Sequence, residues 1–411
     1  MKQEKFHELA STISSDPFSR VPDHIKPLLK DKNVLINCHC HIFNEKTVPK
    51  ALFNMKMPGG AKFAKIARWL AKFLHKLNGR SNDDKWSRLA YFIELFMKST
   101  REITDKLIYY FEPNGTCIFT PLMMDMHNRV GEDKRKPAEH YIKLQAKDIQ
   151  ELIEDPSKKY NLLPFLPIDP TISDPENIEF DVFDVFIKGF TGQYGFLPFG
   201  IKIYPTLGYL PSHPKLMEIY KVCEEKNIPV TTHCSRGVVH AYYRRIKNIE
   251  GWKIGRDGQL TNIPETRTFI FGQGNKYANY FNHPKNWAPI LERHPKLRLN
   301  FGHFGGEKQW KRLKKGKNNT WVSRIIDFMM RYPNVYSDIS FTNAHPELFD
   351  LIKSRMQNSQ IIKERILYGY DYYMITVQGH FRSLKADFDC AFGENLIKQI
   401  GSINSKKFMC L

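Results

Sequence analysis

Apolar positions along this chain fall into two alternating patterns. Short runs of apolar and β-branched residues recur, and the stretches between them carry apolar positions three and four apart. The runs begin with Val34-Leu-Ile-Asn37, Thr116-Cys-Ile-Phe-Thr120, Leu162-Leu-Pro-Phe-Leu166 and Gly200-Ile-Lys-Ile-Tyr204. Pro229-Val-Thr-Thr-His233, Leu297-Arg-Leu-Asn-Phe301, Val335-Tyr-Ser-Asp338 and Ile366-Leu-Tyr-Gly369 complete the set. Runs of this kind suit short strands bounded by turns, whereas Met217, Tyr220 and Cys223 within Leu216–Lys226 recur at helical spacing. Eight strands alternating with helices predict an α/β fold, a (β/α)8 TIM barrel; a doubly wound sheet produces the same alternation.

Two connections are long, with 74 residues between His41 and Thr116 and 63 between His233 and Leu297. The first holds an amphipathic pattern from Ala61 to Leu77. Phe63, Ile66, Leu70, Phe73, Leu74 and Leu77 form one stripe, and Lys62, Lys65, Arg68, Lys72 and Lys76 lie mainly opposite. The expectation is one barrel domain over 1–411, with a helical cap insertion at 44–112 after the first strand and a long insertion after the fifth. A basic amphipathic helix also suits an anionic membrane surface, although docking on the barrel is the simpler reading.

Composition narrows the class. A chain of 411 residues buries a large core without disulfides, and 42% hydrophobic residues exclude a disordered protein. Seven scattered Cys form no disulfide framework, and the N-terminus shows no apolar signal region, so a reducing, cytoplasmic setting is expected. No apolar run approaches the ~18 residues of a membrane span. The net charge of +19 is concentrated: Lys46–Asn82 carries nine basic residues and no acid, and Glu307–Lys317 carries six basic residues and one acid. Both blocks follow a predicted strand, the first and the sixth, so they belong at the barrel mouth and favour a small anionic substrate over a nucleic-acid partner.

The chemistry starts at Asn37-Cys-His-Cys-His-Ile-Phe43. Side chains alternate along a strand, so His39 and His41 share one face, and two imidazoles so placed can hold one metal ion. Cys38 and Cys40 face the other way. A thiolate knuckle needs another Cys or His pair, and none of the remaining Cys occurs at CxxC spacing, so the two read as small apolar residues toward the helix layer. His233 ends the fifth strand, His303 follows the sixth and Asp371 the eighth, all at the end where barrels build active sites. Each taken alone is more simply a hydrogen-bonded structural residue; together they point to a metal centre.

The ordered set resembles the amidohydrolase superfamily of metal-dependent barrel enzymes, in the branch that includes aminocarboxymuconate-semialdehyde decarboxylase. Besides the first-strand motif, it rests on Phe165-Leu-Pro-Ile-Asp-Pro, Gly200-Ile-Lys-Ile-Tyr-Pro, Ile228-Pro-Val-Thr-Thr-His-Cys-Ser, Phe301-Gly-His-Phe-Gly-Gly and Arg365-Ile-Leu-Tyr-Gly-Tyr-Asp-Tyr. The resemblance implies that His39, His41, His233 and Asp371 hold a divalent metal, that His303 polarises the substrate and that Asp371 shuttles a proton. Nitrogen-rich ligation with one carboxylate suits Zn, with Mn, Fe and Co open. Where the family usually has Asp, this chain has Asn37, which cannot supply a carboxylate to a ligand His. Lys202 matches the lysine that, carboxylated, bridges two ions in dihydroorotase-like relatives; an ordinary rim or substrate-contacting lysine is the alternative.

Arg236 could pair with a substrate carboxylate through its guanidinium fork, and Tyr204 could wall the pocket. Tyr370 and Trp310 are more simply packing residues. Asp125 and His127 fall at the correct end of the second strand without an assigned partner, and His240 and Arg267 are placed too loosely to assign. The leading expectation is hydrolysis of a C–N or C–O acyl bond by metal-activated water, whose pKa falls from ~15.7 toward ~7. The alternative is non-oxidative decarboxylation of an unsaturated or aromatic acid at the same site. Oligomeric state is open, a homo-oligomer included.

Overall fold

The computed structural model describes residues 1–49, 85–111, 116–126, 136–174, 176–236, 248–254, 259–262, 265–266 and 273–411. The helical pattern at Ala61–Leu77 lies outside the described residues, as do His127, His240 and Arg267.

All eight expected strands form. They are β1 (Leu35–Cys40), β2 (Cys117–Pro121), β3 (Phe165–Pro167), β4 (Gly200–Ile203), β5 (Val230–His233), β6 (Leu299–Gly302), β7 (Val335–Asp338) and β8 (Ile366–Leu367). Every pairing among them is parallel. β1 pairs with β2, and β3 through β8 form a six-stranded sheet in chain order. Isolated bridges join the two sheets on both sides, Phe119–Leu162 between β2 and β3 and Cys40–Tyr372 between β1 and the segment after β8. At that second seam, the Cys38 amide donates to the Tyr368 carbonyl at 2.8 Å and the His41 amide to the Tyr372 carbonyl at 2.6 Å. The strands therefore follow one another round a ring, the barrel that the alternation predicts.

Helices cover the outside. Val182–Phe190 starts at a capping box between Asp181 and Asp184, and Trp321–Arg331 is capped by the Thr320 hydroxyl, which accepts from the Ser323 amide. Both faces of the strands are thus buried, which is why their sequences read as apolar runs. The side chains of Ile36 and Cys38 point outward into a cluster with Phe408 and Met409, and the Cys38 thiol donates to Ser405 Oγ at 3.3 Å. That places Cys38 toward the helix layer, as strand alternation predicts.

The long connections add structure at the C-terminal rim. Two helices, Lys85–Phe96 and Thr100–Phe111, precede β2. After β5, two small antiparallel pairs form, Asn248–Ile249 with Glu265–Thr266 and Trp252–Ile254 with Leu260–Asn262. The basic helix Glu307–Lys314 sits on the rim as well: Lys311 pairs with Glu347 at 2.9 Å and the Lys314 ammonium donates to the Glu347 carbonyl at 3.0 Å, on the turn after β7. Among the described residues, no helix is long and apolar enough to cross a membrane.

Candidate metal centre

The C-terminal ends of β1 and β8 bring three donor groups together. His41 Nε2 lies 3.3 Å from Asp371 Oδ1, and His39 Nε2 lies 3.7 Å from the same oxygen. Both rings are pinned from behind. His41 Nδ1 donates to the Leu122 carbonyl at 2.9 Å, and His39 Nδ1 donates to Asp338 Oδ2 at 2.9 Å. With each Nδ1 carrying the proton, each Nε2 presents a lone pair toward Asp371. His39 Nε2 and Asp371 Oδ1 are buried and have no hydrogen-bond partner among the described residues. Orphaned lone pairs inside a protein are costly unless an electropositive group meets them, so this donor set fits a divalent cation.

Backbone geometry at this rim is unusual. His303 (φ 66°) and Asp371 (φ 50°) both occupy the left-handed region, where side chains are strained and functional residues concentrate. Two glycines admit His39 to the interior. A Cβ on Gly302 would meet His39 Cε1 at 2.9 Å, and one on Gly369 would meet His39 Cβ at 2.9 Å.

Asp338, at the end of β7, was read from the sequence only as a strand terminus. It is fully buried and accepts five hydrogen bonds. His39 Nδ1 and Asn300 Nδ2 (2.8 Å) reach one oxygen; the His303 amide (3.1 Å), the Ser340 amide (3.1 Å) and the Ser340 hydroxyl reach the other. Burial works to raise its carboxyl, but His39, His303 and these donors hold it below the usual carboxylate range. It is therefore the anion behind His39, the partner that Asn37 cannot provide. Asn37 instead accepts from the His39 amide through Oδ1 at 3.2 Å. The signal in the sequence was slight: an acid closing an apolar strand must be paired, but its partners come from β1 and β6.

His233 and His303 form a second pair, their rings 4.6 Å apart, with His303 Nε2 3.1 Å from His233 Nδ1. The Ser235 hydroxyl lies 3.1 Å from His233 Nε2, and His303 Nδ1 donates to the Ser340 carbonyl at 3.1 Å. The His303 ring is also 4.6 Å from that of His39, so the two pairs share one chamber. Burial pushes the imidazoles of His39, His41 and His233 down, and that of His303 down to about 3, so all four are neutral at neutral pH. Burial has the opposite effect on Asp371, raising its carboxyl well above the usual range.

The remaining candidates divide. Lys202, on β4, is 2% exposed, its ammonium has no hydrogen-bond partner among the described residues, and burial lowers it to about 8. It lines a small cavity together with Tyr204, Tyr209, Asp125 and Asp169. The Tyr204 ring stands 4.9 Å from that of His233. Arg236, just past β5, is exposed. Trp310 packs against Phe304, and Tyr370 packs among Phe111, Phe381 and Phe388, so both serve the core.

Residues 188–408, more than half of the chain, match the family model described as amidohydrolase. The chain belongs to the amidohydrolase family. Its fold is shared with solved structures of low sequence identity. A 2,6-dihydroxybenzoate decarboxylase from Rhizobium superposes with a TM-score of 0.50 at 15% identity, over 92% of this chain and 99% of that one. A dihydroxybenzoic acid decarboxylase from a Polaromonas species, solved with manganese and the inhibitor 2-nitroresorcinol, superposes with a TM-score of 0.50 at 14% identity, over 92% and 97% of the two chains. Comparison with curated protein sequences finds no match.

Proposed function

We propose that this amidohydrolase-family barrel is a metal-dependent, non-oxidative decarboxylase of a small aromatic or unsaturated carboxylic acid. The observation that carries the reading is the convergence of His39, His41 and Asp371 on one point, with His233 and His303 in the same chamber. The decarboxylase reaction of full-length structural relatives supports this chemistry over hydrolysis. His39, His41 and Asp371, with His233 completing the set, would hold one divalent ion, which supplies Lewis-acid polarisation of substrate oxygens. The manganese in the Polaromonas relative supports a divalent ion without selecting zinc.

The chain's own groups account for the proton. Asp371 Oδ1 faces the two imidazoles, which leaves Oδ2 to exchange a proton with the substrate. Transfer of that proton to the carbon bearing the carboxylate lets the carbon–carbon bond break. Its electron pair returns to the ring or double bond, carbon dioxide leaves, and Asp371 regains a proton from water. His303, neutral and fixed by Ser340, would orient a substrate oxygen and Tyr204 would wall the chamber, while Arg236 lies exposed just past β5.

The acyl hydrolysis expected from the sequence uses the same residues, so a product assay separates the two reactions. Metal-loaded protein is predicted to release carbon dioxide from one or more of a panel of hydroxybenzoates, and chelation to abolish that release. Turnover of amides or lactones without any carbon dioxide would overturn the reading.

A further inference from the structure

We propose that Lys202 remains an uncarboxylated ammonium and anchors the substrate's carboxylate in the cavity beside the metal centre. This inference rests on the function proposed above for the choice of an acid as substrate. Its basis is the environment of one atom. The Lys202 ammonium is buried, donates no hydrogen bond and forms no ion pair among the described residues. Leaving an ammonium desolvated and unpaired is unfavourable, so a fold that keeps one reserves it for an anion that arrives.

The cavity identifies that anion's place. Among the described residues lining it, Lys202 is the one cation. Two of the protein carboxylates nearby are already hydrogen-bonded. Asp169 Oδ1 accepts from the Thr171 amide at 2.8 Å and its hydroxyl at 2.6 Å, and Asp338 accepts its five donors. In register, Lys202 pairs with Thr231 on β5, two residues before His233, so an acid held by the ammonium reaches toward the histidine pair.

The geometry also argues against a carboxylated bridge. Carboxylation would replace the cavity's cation with an anion beside Asp125, Asp169 and Asp371, a change that only a second divalent ion offsets. The groups available for that ion are His233 and His303, of which His233 already completes the set proposed for the first.

The test compares benzoate with benzamide, its neutral analogue, as calorimetric probes of metal-loaded wild type and Lys202→Met. Loss of one charge-assisted contact is expected to weaken benzoate by ~10- to 100-fold while benzamide binding is unchanged. Metal content should stay at one ion per chain in both proteins. The thermal midpoint of ligand-free Lys202→Met should rise, since methionine removes an unpaired buried charge. Equal loss of both probes, unchanged benzoate affinity, or a fall from two ions to one would overturn the proposal. So would the mass of one bound carbon dioxide on Lys202 of intact wild type in bicarbonate, a measurement that needs no folded variant. A protein that binds benzoate through Lys202 yet releases no carbon dioxide would sink the reaction above and leave this inference standing.

Discussion

At the scale of single residues, the site depends on a carboxylate that touches no substrate. Asp338 sets the tautomer of His39 and, through the His303 amide, the strained turn after β6. Outer partners of this kind typically contribute a factor of ~10 to 100 in metal affinity. Asp338→Asn is therefore predicted to weaken metal binding by that factor in a competition titration; an unchanged affinity would remove Asp338 from the site. Asp371→Asn should lower turnover by ~100- to 10,000-fold, the usual range for a positioned acid or base. Stability against pH carries a sign. His39, His41, His233 and His303 bind protons less readily folded than unfolded, with His303 near 3 against about 6.5 for a free imidazole. The unfolded chain then holds more protons below pH ~6.5, and stability falls with acid at up to ~1.4 kcal/mol per pH unit for each such histidine. Asp371, raised by burial, acts in the opposite sense as pH rises above its free value, but it is one group against four. Metal-free protein should show a midpoint that drops between pH 6.5 and 4; a flat profile would contradict the neutral histidines.

At the scale of elements, the eight strands were readable because each is buried on both sides and bounded by turns. Predicted and observed strands overlap throughout, and the differences are confined to their ends; the third shortens to Phe165–Pro167, with Leu162 left as an isolated bridge to Phe119. What the strand pattern did not reveal is how tightly their ends approach. His39 lies between Gly302 of β6 and Gly369 beyond β8, and either added Cβ would come within 3.0 Å of it. Gly302→Ala is predicted to displace the His39 ring, at a stability cost of ~1 to 3 kcal/mol typical of overpacking, with weaker metal binding. A denaturant titration and a metal titration of the same variant check both halves. The insertion after β5 was legible only as a length: its paired strands are two or three residues long, below what periodicity can detect.

At the scale of the whole molecule, the excess of positive charge becomes a local property. The described basic block, Glu307–Lys317, lies on the rim through contacts with the turn after β7. Reversing the charges of Lys314, Lys315 and Lys317 should lower kcat/KM for an anionic substrate at low ionic strength. The difference should fade near 0.5 M salt, where screening lengths fall below ~5 Å. An effect that salt does not diminish would point to structural damage instead. The sequence by itself determined the barrel, because burial on two faces writes continuous apolar runs, and it marked His39, His41 and Asp371 as candidates, because strand ends are where those runs stop. Only the tertiary structure decided which groups stand behind them. Asp338 meets His39 across 299 residues of chain, and Lys202 is left without a hydrogen-bond partner among the described residues, because parallel strands bring distant segments side by side at separations that no local pattern records.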